Sequence, residues 1–99
     1  MEVNGYKMQT TFWMDFTIAD KFGENSIYDT YRRAVEGWKN NAKYMTELTL
    51  VLNWKIWQHH EKGNDDIAVV YDKLWRDCDN WCCENLKDED LEYHYRVTD

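Results

Sequence analysis

Three cysteines and three histidines are the residues best suited to chemistry in this chain. Cys78, Cys82 and Cys83 cluster, with His59 and His60 upstream and His94 downstream. Cys78 and Cys82 are four residues apart, so a helix sets both thiols on one face, within reach of one zinc ion. Structural zinc sites instead pair cysteines across a turn and add a second spaced pair, which this chain lacks. The face also carries Leu74, Trp75 and Trp81, the composition of a core. The thiols therefore read as apolar core groups, and no metal or other cofactor is expected.

Catalysis finds little support. His59-His60-Glu61 is not H-E-x-x-H, because adjacent imidazoles cannot share one helix face with a base between them. Next to a helix end, these histidines complement the negative pole of the dipole. Cys82 or Cys83 could pair with His94, but no glycine turn supplies oxyanion donors, and thiols inside helices are usually inert. No glycine-rich loop cradles phosphate. The acidic run from Asn64 to Asp77 lacks the loop glycine of a calcium-binding helix–loop–helix site. The expectation is a protein that is not an enzyme.

Charge points towards binding. The chain has 12 basic and 19 acidic residues, a net charge of −7. Residues 1–60 are neutral, with seven of each sign, and residues 61–99 hold twelve acids against five bases. Arg32, Arg33, Lys39 and Lys43 form the one basic neighbourhood, diluted by Asp29 and Glu36, and an i, i+4 pair Asp29–Arg33 is expected. Direct nucleic-acid binding, which needs clustered cations, is disfavoured. Asp65, Asp72 and Asp79 recur every seventh residue, about 10.5 Å apart along a helix, although Arg76 pairs with Asp72 and interrupts them. Asp88, Glu89, Asp90 and Glu92 follow. These seven acids, with Trp54 and Trp57 as aromatic anchors, are the candidate partner-binding residues. The alternatives are a solvated acidic face and tryptophans buried against another helix.

The elements that would position these residues are helical. Phe12, Phe16, Ala19 and Phe22 line one face of a helix over Thr11–Phe22, capped by Thr10 or Thr11 and closed at Gly23. Ser26 and Asp29 suggest a capping box for a second helix carrying Ile27, Tyr31, Ala34, Val35 and Trp38. Over 41–62, Leu48, Leu50, Leu52, Trp54 and Ile56 alternate as in a strand. Met45, Leu48, Leu52 and Ile56 also fit a helix, and the uninterrupted length favours one of about 33 Å. Being apolar nearly all round, it should be central. A fourth helix from Asn64 or Asp65 would fold back on it across Gly63. A short addition from Asp88 would dock Leu91 and Tyr95. The expected fold is thus one all-α domain over 1–99: four helices with a central apolar helix, a helical hairpin and a short C-terminal addition. Leu48, Leu52, Ile56, Tyr71, Leu74 and Cys78 should be core.

Six Trp, seven Tyr, three Phe and no Pro argue against a disordered or low-complexity chain. MEVNGYKMQTTFW lacks the basic start and apolar stretch of a secretory signal. Nothing approaches the roughly 20 apolar residues of a membrane span. An odd, clustered cysteine count suits reduced thiols inside a cell.

The stretches TFWMDFTIADKFG, LVLNWKIWQHHEKG and YHYRVTD resemble small bacteriophage and prophage proteins of Gram-positive hosts. The resemblance covers most of the chain and carries no catalytic motif. It implies residence in the cytoplasm of the bacterial host cell. It also implies kinship with acidic helical anti-defence inhibitors, including anti-CRISPR proteins. The expected function is a non-enzymatic inhibitor that occludes a basic nucleic-acid-binding surface of a host defence protein, such as an RNA-guided nuclease. The alternatives are a self-associating structural or assembly protein, possible as a homo-oligomer, and a nucleotide-binding sponge.

Overall fold

Asn4 and Gly5 reverse the chain at its start, with φ of 52° and 80°. A type I′ hairpin turn needs both central residues in this left-handed region, and Asn-Gly supplies them at little cost. The turn joins β1 (Glu2–Val3) to antiparallel β2 (Tyr6–Lys7), pairing Glu2 with Lys7 and Val3 with Tyr6. The computed structural model describes residues 1–98. Five helices follow the hairpin: α1 (Phe12–Asp20), α2 (Glu24–Trp38), α3 (Ala42–Glu61), α4 (Asp65–Asn85) and α5 (Asp88–Thr98). The helical class stands. Two details of the expected fold do not, since a small sheet is present and the fifth helix is a full element.

Local chemistry sets the helix boundaries. Gly23, at φ 101°, swings the chain into α2 at Glu24. This is two residues before Ser26, so the expected capping box does not start the helix. Asp29 instead holds Arg33 at 2.7 Å, as expected, and Arg32 as well. The Asn41 side chain caps α3 by accepting from the Tyr44 amide at 3.1 Å. Gly63, at φ 78°, ends the α3 turn, and the Asn64 amide donates back to the His59 carbonyl at 2.8 Å. Asp88 opens α5 at φ 53°, a conformation that Asp tolerates better than most side chains.

Helix α3 is the central element. Met45 to Leu52 are buried without interruption, whichever way their side chains point. Leu48, Leu52, Tyr71, Leu74 and Cys78 lie in the core with Phe12, Phe16 and Ile27, while Ile56 is half-buried against it. Fully burying an apolar side chain of this size contributes about 1.5–3 kcal/mol. On α5 the expectation holds for Leu91, which packs half-buried against the core, and is corrected for Tyr95, which is exposed while His94 is fully buried. An i, i+4 spacing from Leu91 selects Tyr95, but the observed helix turns the neighbouring imidazole inward.

Two charges are buried with their partners. Glu47 accepts from the Gln9 and Thr10 amides, both at 2.8 Å, and from the Thr10 hydroxyl. Lys55 spends its three N–H groups on Thr17 Oγ1 (2.9 Å), Asp20 Oδ2 (2.9 Å) and Gln58 Oε1 (3.0 Å). Its ammonium also lies 4.4 Å from the Trp13 ring centre, a cation–π contact. Burial lowers the Lys55 pKa, and Asp20 pulls against that shift. Asp20 in turn accepts from the Tyr71 hydroxyl. His59 stacks on Tyr71 with ring centres 5.4 Å apart. Its Nε2 lies 3.0 Å from Asp20 Oδ2 but out of line for a hydrogen bond, so both ring nitrogens are unpaired among the described residues.

Candidate functional site

The expected acidic residues fall into two groups. Three already have partners. Asp65 is exposed and lies 3.1 Å from His60 Nδ1, while Asp72 holds Arg76 Nε at 2.9 Å. Asp79 accepts from His94 Nε2 at 2.9 Å. The repeat of seven is real, but it does not leave an array of free charge. It also separates its ends: α4 rises about 30 Å from Asp65 to Asn85. Asp88, Glu89, Asp90 and Glu92 form the second group. All four are exposed, and no basic side chain pairs with them among the described residues. Asp88, Glu89 and Asp90 lie in the first turn of α5, where the helix dipole offsets part of their mutual repulsion.

The two candidate anchors differ. Trp54 is half-buried, edge-on to Tyr6 of β2 at 6.0 Å and to Trp13 of α1 at 6.3 Å. It serves the hairpin's attachment rather than standing free, because the hairpin brings Tyr6 over α3. Trp57, one turn on, is 58% exposed. Both line a groove of about 390 Å³ with Val3, Trp13, Gln58 and Glu61. A larger groove of about 480 Å³ runs between α1 and α2, lined by Phe12, Ile18, Phe22, Arg33 and Trp38. Phe22 there is 76% exposed, where a closing position on the apolar face of α1 was expected. The helix ends at Asp20, so Phe22 no longer follows its period.

The thiol and imidazole groups converge at the α3–α4–α5 junction. Cys78 and Cys82 are buried, as expected, and Thr49 Oγ1 lies 3.2 Å and 3.8 Å from their sulfurs. Hydrogen bonding with Cys82 and burial push the Cys78 thiol up. Cys82 is pulled down, chiefly by its bond with Cys78 and then by His94. His94 is fully buried; Nδ1 lies 3.1 Å from Thr46 Oγ1 and Nε2 faces Asp79. Burial opposes its charge, but Cys82 and Asp79 outweigh that and raise its pKa. Both His94 nitrogens thus face partners other than Cys82, so the imidazole is not set as a base for that thiol. The thiol has no exposed surface for a substrate to approach.

Cys83, on the next face, is half-exposed and accepts a hydrogen bond from the Tyr95 hydroxyl at 3.6 Å. Of the histidines in the sequence, His59 sits at the Asp20 cluster and His60 is exposed, and His94, the one weighed as a partner for Cys82 or Cys83, is the one beside Cys83. The readable signal was the i, i+4 pair Asp79 and Cys83; what it lacked was the docking of α5.

No protein-family model, curated protein or solved structure matches the chain. No helix among the described residues is long and apolar enough to cross a membrane.

Proposed function

We propose that the chain is a small acidic, non-enzymatic binding protein that presses the carboxylates of α5 against a basic, nucleic-acid-binding surface of another protein. The phage-protein resemblance makes that partner a bacterial defence protein, such as an RNA-guided nuclease, met in the host cytoplasm and inhibited by occlusion. One observation carries the reading: Asp88, Glu89, Asp90 and Glu92 are exposed and have no cationic partner among the described residues. Uncompensated charge of one sign steers a complementary surface and speeds association at low salt. The buried Cys82 thiol supports the non-enzymatic part of the reading.

The test captures host proteins on the immobilised chain and on a variant with D88N, E89Q, D90N and E92Q. Asn at 88 keeps a residue that accepts positive φ. The expected result is a nucleic-acid-binding protein held by the native chain, released by added oligonucleotide and not held by the variant. Equal capture by both chains overturns the reading.

The apolar groove between α1 and α2 favours a second reading, self-association in a structural or assembly role. Phe22, Ile18 and Trp38 all expose apolar surface there. Light scattering that finds a monomer at every concentration rejects it.

A further inference from the structure

We propose that Asp79, Cys83 and His94 form a binding site for a transition-metal ion of zinc-like character. One ligand atom from each residue lies within 4.8 Å of the other two. The set combines a carboxylate oxygen, a thiolate sulfur and an imidazole nitrogen, a mixture that suits zinc and its neighbours rather than calcium or magnesium.

The fold explains the convergence. Asp79 and Cys83 are one turn apart on α4, so they share a face. Leu86 and Lys87 end that helix, and the left-handed backbone at Asp88 starts α5, which returns His94 to the same face. His94 Nε2 is already 2.9 Å from Asp79 Oδ1. A tetrahedral ion with bonds of about 2.0–2.3 Å needs its donors about 3.3–3.6 Å apart. The Asp79–His94 pair opens slightly to admit it. Cys83 closes any remaining gap by rotating its single side-chain torsion.

The surroundings fit a ligand set. Metal-bound histidines usually have their second ring nitrogen held by a fixed partner, which sets the tautomer. Thr46 Oγ1 does this at Nδ1, 3.1 Å away. With the ion on Nε2, the proton left on the ring is the one on Nδ1, donated to Thr46. The Tyr95 hydroxyl directs a hydrogen bond at Cys83 Sγ. The Asp79 side chain is 35% exposed and Cys83 half-exposed, so an ion reaches the site from solvent without unfolding the core. Binding displaces the proton between Asp79 and His94 and the thiol proton of Cys83, both to solvent. Three protein donors leave one position for water. Cys78 and Cys82 lie deeper and serve as the control for the assignment of Cys83.

The test titrates the reduced chain with cobalt(II). The expected result is a near-ultraviolet thiolate-to-cobalt band and intense visible ligand-field bands, saturating at one equivalent and erased by zinc. Cys83→Ser should lose the thiolate band while Cys82→Ser keeps it. Thr46→Val should weaken affinity about 10–100-fold. A second measurement needs no variant: zinc should protect Cys83 from alkylation, located by peptide mass mapping. The site is overturned if cobalt gives no thiolate band with the folded chain. It is also overturned if Cys82→Ser alone removes the band, or if zinc leaves Cys83 alkylation unchanged.

Discussion

The chain holds two polar clusters around Asp–His pairs, at opposite sides of its central helix, and they are finished differently. At the first, Asp20 meets Lys55, Tyr71 and His59. Lys55 has no exposed surface and every one of its donors is spent. At the second, Asp79 meets His94, with Thr46 behind and two thiols beside it. There the carboxylate and Cys83 still reach water. The first cluster neutralises its own charge and ties α1 to α3 and α4. The second has donor atoms to spare and an open side. Similar residues are therefore structural where water is shut out and open to a ligand where it is not.

The contrast predicts unequal costs of mutation. Asp20→Ala should destabilise the fold by about 3–5 kcal/mol, because it leaves the Lys55 charge buried without its anion. Urea unfolding measures this, and a loss under about 1 kcal/mol would mean that the cluster is not closed. Alkaline pH should attack the same cluster. Burial and then the bond to Asp20 raise the Tyr71 phenol above its ordinary 10.0. Its contribution is therefore complete below pH 10 and is lost as pH climbs from there towards the folded value, at about 1.4 kcal/mol per pH unit. Burial also raises Tyr31 and Tyr6, so tyrosinate absorbance from these three should appear only together with unfolding. Smallest of all, Cys83→Ser should move stability by about 0.5 kcal/mol or less, as expected of a surface change. A loss of several kcal/mol there would make the second cluster structural too.

Periodicity made much of the fold legible. The stripe of Met45, Leu48 and Leu52, the Asn41 cap and the Gly63 stop all act in α3 as their types suggest. So do the local pairs Asp29–Arg33 and Asp72–Arg76, whose partners lie within four residues. The hairpin escaped because two residues per strand carry too little alternation, although Asn4-Gly5 marked its turn. Hydrophobic patterning is blind to Lys55, Glu47 and His94, since each is buried only because distant residues pair with it. The candidate site was half legible. The free acids of α5 could be read from composition, while Asp79, Cys83 and His94 needed the docking of α5 to be seen together.

The Glu47 carboxylate has a consequence for the order of folding. Its partners, the Gln9 and Thr10 amides, are 38 and 37 residues away in sequence. The α3–α4 hairpin needs only a short turn, so its closure is fast. The amino-terminal corner has no such shortcut: two amides must find one carboxylate on a helix that has already formed. We expect the hairpin of helices to form first and the first ten residues to lock last. Glu47→Gln should then speed unfolding far more than it slows folding.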